Sequence, residues 1–233
     1  MHHYISKYLT VKYYRTLLEW LFFGLFAGVG LYLLPNNPAA FELQKAQLFL
    51  NLFRWLVFFS IPLVLLDQQV QNRVKQLGKN RIIQLLVLLA CIVGISSWLG
   101  TDTVKSIFGN YWRSDGLLTM SQLWLLGVVT AVLWRPTLRN KIVSGIVVGV
   151  FGNVLFLAVQ LVLRFGLGWS DLADWGLSFG ATFNQPVFLA GYLAVCAPII
   201  ANRLKRIHPR AAYIFVAVTV AALCFTATWG ALL

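Results

Sequence analysis

Cysteine and histidine are both scarce here, at three residues each. Cys91, Cys196 and Cys224 all fall inside apolar stretches, with no close pair and no metal-ligand spacing, so they read as small packing residues. His2, His3 and His208 form no cluster, which removes the basis for a histidine metal site or a histidine-centred catalytic group. No metal and no cofactor are expected from these side chains. Charge is also sparse, at 11% of residues, and the long apolar stretches lack the polar faces at helical spacing that a soluble domain requires. Repeats, low-complexity runs and linkers are absent too. The first hydrophobic stretch is too long for a signal-peptide core and no small-residue cleavage site follows it, so it should stay in the mature chain.

What fills the chain instead is a rhythm of apolar stretches, approximately residues 16–34, 47–66, 82–99, 117–134, 142–163, 186–201 and 211–233. Most approach the roughly 20 residues that cover a hydrocarbon core of about 30 Å. The sixth is the shortest and can belong to a helix that starts below the bilayer surface. The expected fold is all-α: a polytopic transmembrane helical bundle of about seven spans, forming one domain over residues 1–233. The last stretch reaches Leu233 with no polar or basic anchor after it, which predicts a chain interrupted at its carboxyl end.

The links between the stretches alternate in charge. The amino end carries Lys7, Lys12 and Arg15; the second link Arg73, Lys75, Lys79 and Arg81; the fourth Arg135, Arg139 and Lys141; the sixth Arg203, Lys205, Arg206 and Arg210. These are fourteen of the nineteen basic residues. The first, third and fifth links hold only Lys45, Lys105, Arg113 and Arg164, with Glu42, Asp102, Asp115, Asp171 and Asp174. Lys and Arg accumulate in short cytoplasmic loops, so the amino end is expected in the cytoplasm and the odd links outside. The formal charge of +12 therefore reflects topology and anionic headgroups, and no nucleic-acid partner is expected.

Inside the spans, Gly24 with Gly28 and Gly145 with Gly149 mark places where helices could approach closely. Glu19 and Arg54 are charges in apolar surroundings, which are costly unless paired or drawn to an interface. Arg54, near the outer end of its helix, is expected to snorkel.

The outward links are chemically richer. The third runs Phe108, Gly109, Asn110, Tyr111, Trp112, Arg113, Ser114, Asp115, Gly116 at the mouth of the fourth span. Arg113 offers a planar fork of donors suited to phosphate oxygens. Tyr111 and Trp112 offer flat faces for a sugar ring or lipid headgroup, and Asp115 can accept from hydroxyls or hold Arg113. An interfacial aromatic belt with a local Arg–Asp pair fits the same residues. In the fifth link, Trp169, Leu172, Gly176 and Phe179 recur at helical spacing with Asp171 and Asp174 on another face, which predicts a short interfacial helix. Arg164 stands at its start. Asn184 and Gln185 precede Pro186, where they can contact a ligand or cap the next helix.

These segments carry a family resemblance. Residues 111–116 (YWRSDG), 180–193 (GATFNQPVFLAGYL) and 226–233 (TATWGALL) agree in order and spacing with the front part of bacterial O-antigen ligase and O-antigen polymerase type proteins, which the chain resembles. Val187 and Trp229 stand where that family usually has Asn and Arg. The family has further spans and a large outward loop with additional catalytic basic residues, so this chain is expected to hold only part of an active centre. The resemblance implies a glycosyltransferase of the bacterial cytoplasmic (inner) membrane. It would move a glycan from undecaprenyl diphosphate to an acceptor glycan or lipid on the outer face, without nucleotide sugar or metal. On that reading Arg113 and Arg164 are the catalytic cations that stabilise the leaving diphosphate. Tyr111, Trp112, Asp115, Asn184 and Gln185 would bind substrate. A small multi-spanning transporter or a non-catalytic scaffold subunit is the alternative; transport predicts broken or polar helices near the midplane.

Overall fold

The computed structural model describes residues 2–32, 41–109, 116–163 and 186–230. Among these residues the secondary structure is helical, with no strand. In chain order the helices are α1 (His2–Leu31), α2 (Phe41–Leu66), α3 (Gln68–Gly78), α4 (Arg81–Leu99), α5 (Thr103–Phe108), α6 (Leu117–Leu133), α7 (Pro136–Leu161), α8 (Pro186–Ile207) and α9 (Pro209–Gly230).

Local chemistry explains most of the boundaries. Asp67, Asn80 and Asp102 cap α3, α4 and α5, their side-chain oxygens accepting from the amides of Gln69, Ile82 and Lys105 at 3.1, 2.8 and 3.0 Å. Each satisfies a donor that has no partner within its helix. Proline opens α7, α8 and α9, where the missing N–H is not needed. α5 stops at Gly109, whose φ of 78° favours a residue without Cβ.

Several helices run beyond the apolar stretches. α1 takes in the basic amino end, α7 starts at Pro136, and α8 continues through Arg203, Lys205 and Arg206. Lys and Arg are good helix formers, so a charge ends an apolar stretch without ending the helix. The second link holds a helix of its own, α3, with Val70 buried and Lys75 in its last turn.

Among the described residues, three helical segments are long and apolar enough to cross a membrane: Gln44–Leu66, Arg81–Leu99 and Pro136–Leu161. Leu117–Leu133 and Pro209–Ala222 are shorter apolar helices. α4 has no buried residue although its side chains are almost all apolar, the pattern of a helix solvated by lipid. The architecture is that of an all-helical membrane protein.

The chain forms two compact units. The first comprises Met1–Leu25 and Ala46–Lys141. Its core is built from Leu18 and Phe22 of α1, Phe53, Leu56 and Leu63 of α2, Val70, and Val132 and Leu133 of α6. The second comprises Phe26–Lys45 and Ile142–Leu233. There Ile142, Ile146, Val150 and Leu157 of α7 and Leu189, Leu193, Cys196 and Ile200 of α8 recur at three- and four-residue spacing and are buried. α8 and α9, joined at His208, pack along each other as a hairpin.

Candidate functional site

Among the described residues, a dense charged cluster lies in the first unit, where α1, the α2–α3 corner and the α6–α7 corner meet. Asp67 breaks the chain between α2 and α3. Its Oδ1 caps α3, and its Oδ2 accepts from Arg15 Nη2 at 2.6 Å and from Arg135 Nη2 at 2.7 Å. Asp67 is 6% exposed and Arg135 18%. Burial alone would raise the carboxyl pKa. The hydrogen bonds from Arg15 and Arg135, the Arg15 charge and the Gln69 N–H outweigh that and hold it below the ordinary carboxylate range.

Neighbouring contacts extend the cluster. Arg73 of α3 donates to the carbonyl of Trp134, which ends α6. Thr137 in the first turn of α7 donates to Glu19 at 2.5 Å, and Lys141 lies 3.5 Å from the centre of the Trp20 ring. Glu19 thus has a partner from another helix, while Arg54 is exposed. A cavity of about 20 Å³ lies among Arg15, Leu18, Glu19, Leu63 and Arg135, room for a single water. Two arginines on one carboxylate leave a net positive set that ties α1, the α2–α3 corner and the α6–α7 corner together. Its chemistry is that of a latch.

The second unit holds a polar network at the last turn of α1. Asn153 of α7, fully buried, donates to the carbonyls of Gly30 and Gly149, both at 2.8 Å. Lys45 of α2, 8% exposed, donates to the same Gly30 carbonyl at 3.5 Å. The last carbonyls of a helix lack intrahelical donors and carry partial negative charge, so an amide and an ammonium both suit that position. Backbones come close at this point. A Cβ on Gly149 would stand 2.4 Å from the Tyr192 hydroxyl and 3.2 Å from the Phe26 carbonyl, and one on Gly30 would stand 2.9 Å from the same hydroxyl. By contrast a Cβ on Gly24 would meet nothing within 4 Å. The close approach expected of Gly149 is present, that of Gly24 is not, and Gly30 takes its place.

Arg113, Arg164, Tyr111, Trp112, Asp115, Asn184 and Gln185 lie outside the described residues. What is described is where their segments attach. The backbone at Gly116 packs against Gly109 and Ile107, so close that a Cβ there would fall 2.2 Å from the Gly109 amide nitrogen. α8 begins at Pro186, directly after Gln185. Within the described part of the 180–193 segment, Leu189 and Leu193 are fully buried and Tyr192 sits against Gly30 and Gly149, so these residues pack helices together.

Asp67 was accessible to sequence reasoning: it is the one acid among the basic even-numbered links. Asn153 offered a weaker signal, as an amide in the middle of an apolar run. Among the described residues, no three His, Cys, Asp or Glu side chains stand close enough to hold a metal ion. The fold and these clusters define a helical membrane protein whose polar contacts gather at helix ends. The chain matches no family model, no curated protein and no solved structure.

Proposed function

We propose that the chain is the amino-terminal part of an O-antigen ligase or polymerase type glycosyltransferase. It has about seven spans, a cytoplasmic amino end, and substrate-facing links on the outer side of the bacterial inner membrane. The observation that carries this reading is the joint order of three segments, 111–116, 180–193 and 226–233, each at a boundary between link and span. The fold is compatible with it. α6 begins at Leu117, directly after the 111–116 segment, and α8 begins at Pro186, within the 180–193 segment, so both segments border the start of a helix. The membrane-facing apolar helices supply the setting that a lipid-linked donor needs.

In this mechanism an acceptor hydroxyl displaces the undecaprenyl diphosphate from the glycan, and charge builds on the departing diphosphate. Arg113 and Arg164 would lower that barrier by holding phosphate oxygens, with Asp115 orienting Arg113. Tyr111 and Trp112 would stack on sugar rings, and Asn184 and Gln185 would hydrogen-bond their hydroxyls.

The test uses the complete open reading frame in its own cell. Disruption of the gene should remove one envelope glycan and accumulate its undecaprenyl-diphosphate-linked precursor. Arg113→Ala should complement at least tenfold less well than the wild type at equal membrane abundance. Unchanged glycan in the disrupted strain, or full complementation by Arg113→Ala, would refute the proposal.

A further inference from the structure

A cavity of about 380 Å³ opens in the second unit between α7 and the α8–α9 hairpin. Phe151 and Val154 of α7, Ile200 and Leu204 of α8, and Ile214 and Val218 of α9 are among its walls, and every lining side chain is apolar. This volume falls within the roughly 300–1,000 Å³ of ordinary ligand pockets. Ile200 is 1% exposed, while Phe151 and Ile214 are each 66% exposed. The cavity is therefore a groove with a buried floor and open lips.

One end of the groove lies at the hairpin turn. Leu204 is followed by Lys205, Arg206 and His208, and Arg210 precedes the lining residue Ala211. Lys205, Arg206, His208 and Arg210 are all exposed. From residue 175 to residue 233 the sequence contains no Asp or Glu, so no acid in this part of the chain neutralises them. Along α9 the lining runs from Ala211 to Val218, about 10 Å of helix at 1.5 Å per residue, leading away from the basic turn. An apolar slot that starts beside exposed cations, in a part of the chain without acids, matches a molecule with an anionic head and a hydrocarbon tail. Arg and Lys side chains can lay their stems along the slot and hold a phosphate at its mouth.

We infer that the groove between α7 and the α8–α9 hairpin binds one acyl chain of a diacyl phospholipid, whose anionic headgroup rests on Lys205, Arg206 and Arg210. This site is independent of the proposed glycan transfer and lies at the hairpin's basic end, not in the links that carry Arg113 and Arg164.

The test is native mass spectrometry of the full chain in mild detergent, titrated with dioleoylphosphatidylglycerol or dioleoylphosphatidylcholine. Phosphatidylglycerol should be retained at least tenfold more tightly. Replacing Val154 and Val218 together by Trp, to fill the slot, should weaken phosphatidylglycerol at least tenfold. The exposed triple substitution Lys205→Gln, Arg206→Gln, Arg210→Gln should abolish the preference between the two lipids, with thermal unfolding still cooperative; it carries the test if the filled variant does not fold. Equal retention of both lipids, a preference that survives the triple substitution, or undiminished binding to a folded filled variant would overturn the inference. So would competition by glycerol phosphate without acyl chains, which would indicate a free-phosphate site. A lipid-free dimer in which crosslinks join the grooves would do the same in favour of a second copy.

Discussion

Asp67 and Arg135 stand 68 residues apart in sequence and meet at 2.7 Å, with Arg15 on the same carboxylate oxygen at 2.6 Å. One carboxylate thereby holds the start of α1's apolar run, the corner after α2 and the corner before α7 at one end of the first unit. Removing a buried member of such a set leaves its partners uncompensated, at a cost of about 3 kcal/mol. Asp67→Asn should lower the unfolding free energy in mixed micelles by that amount, and an effect below about 0.5 kcal/mol would show the latch to be ornamental.

The same carboxylate sets a pH dependence. Its pKa is depressed in the folded chain, so its contribution to stability is complete above the unfolded value of about 3.9 and disappears as pH falls through the lower folded value. Between pH 5 and 8 Asp67 should leave the unfolding midpoint unchanged. Below about pH 4 the wild type should lose stability steeply. Asp67→Asn should flatten that acid limb, and a variant with the wild-type slope would assign the limb to other carboxylates.

Glycine positions in the two helices that carry the four-residue spacing should respond in opposite ways. Gly149→Ala forces a methyl against the Tyr192 hydroxyl and the Phe26 carbonyl, and should cost about 1–3 kcal/mol as an overpacked contact. Gly24→Ala enters open space and gains helix propensity, so it should be neutral or stabilising by up to about 1 kcal/mol. Unfolding titrations of both variants decide it; equal losses would mean that the spacing alone governs.

That contrast shows what can be read from the chain and what cannot. Apolar run length located the helices, because burying twenty side chains in lipid dominates any local preference. Helix ends were harder: the charges at Arg203 and Arg206 end the apolar stretch while the backbone stays helical to Ile207. Partner choice was not legible. Gly24 and Gly149 look alike in sequence, and only the packing of α7 against the end of α1 and Tyr192 separates them. Asp67 had a sequence signal, in being an acid among basic links, whereas Lys45 looked like one more loop charge and is buried on the Gly30 carbonyl. Of the candidate site, the attachment points at Gly116 and Pro186 are visible and the side chains that would do chemistry lie outside the described residues.

The Gly30 carbonyl offers a test of how that network divides its load. Asn153→Leu keeps the volume but removes a buried side-chain donor to the carbonyl, and should cost about 1–3 kcal/mol through the lost hydrogen bonds. Lys45→Met removes a second donor to the same oxygen. Because both donors serve one oxygen, the double substitution should deviate from additivity by 0.5 kcal/mol or more in a double-mutant cycle. Strict additivity would mean that Lys45 and Asn153 stabilise the unit through separate contacts.

Sidedness links the latch to the proposed chemistry. If the basic links face the cytoplasm, a single cysteine at Lys79 should be blocked from a membrane-impermeant maleimide in intact cells and react after permeabilisation. A cysteine at Lys105, in the link that carries Arg113, should react in both. The background is a chain with Cys91, Cys196 and Cys224 replaced by Ala. The reverse pattern would place Arg113 in the cytoplasm, on the side where a glycan acceptor of the outer face cannot reach it. Labelling of both sites from outside would break the alternation on which the seven-span topology rests.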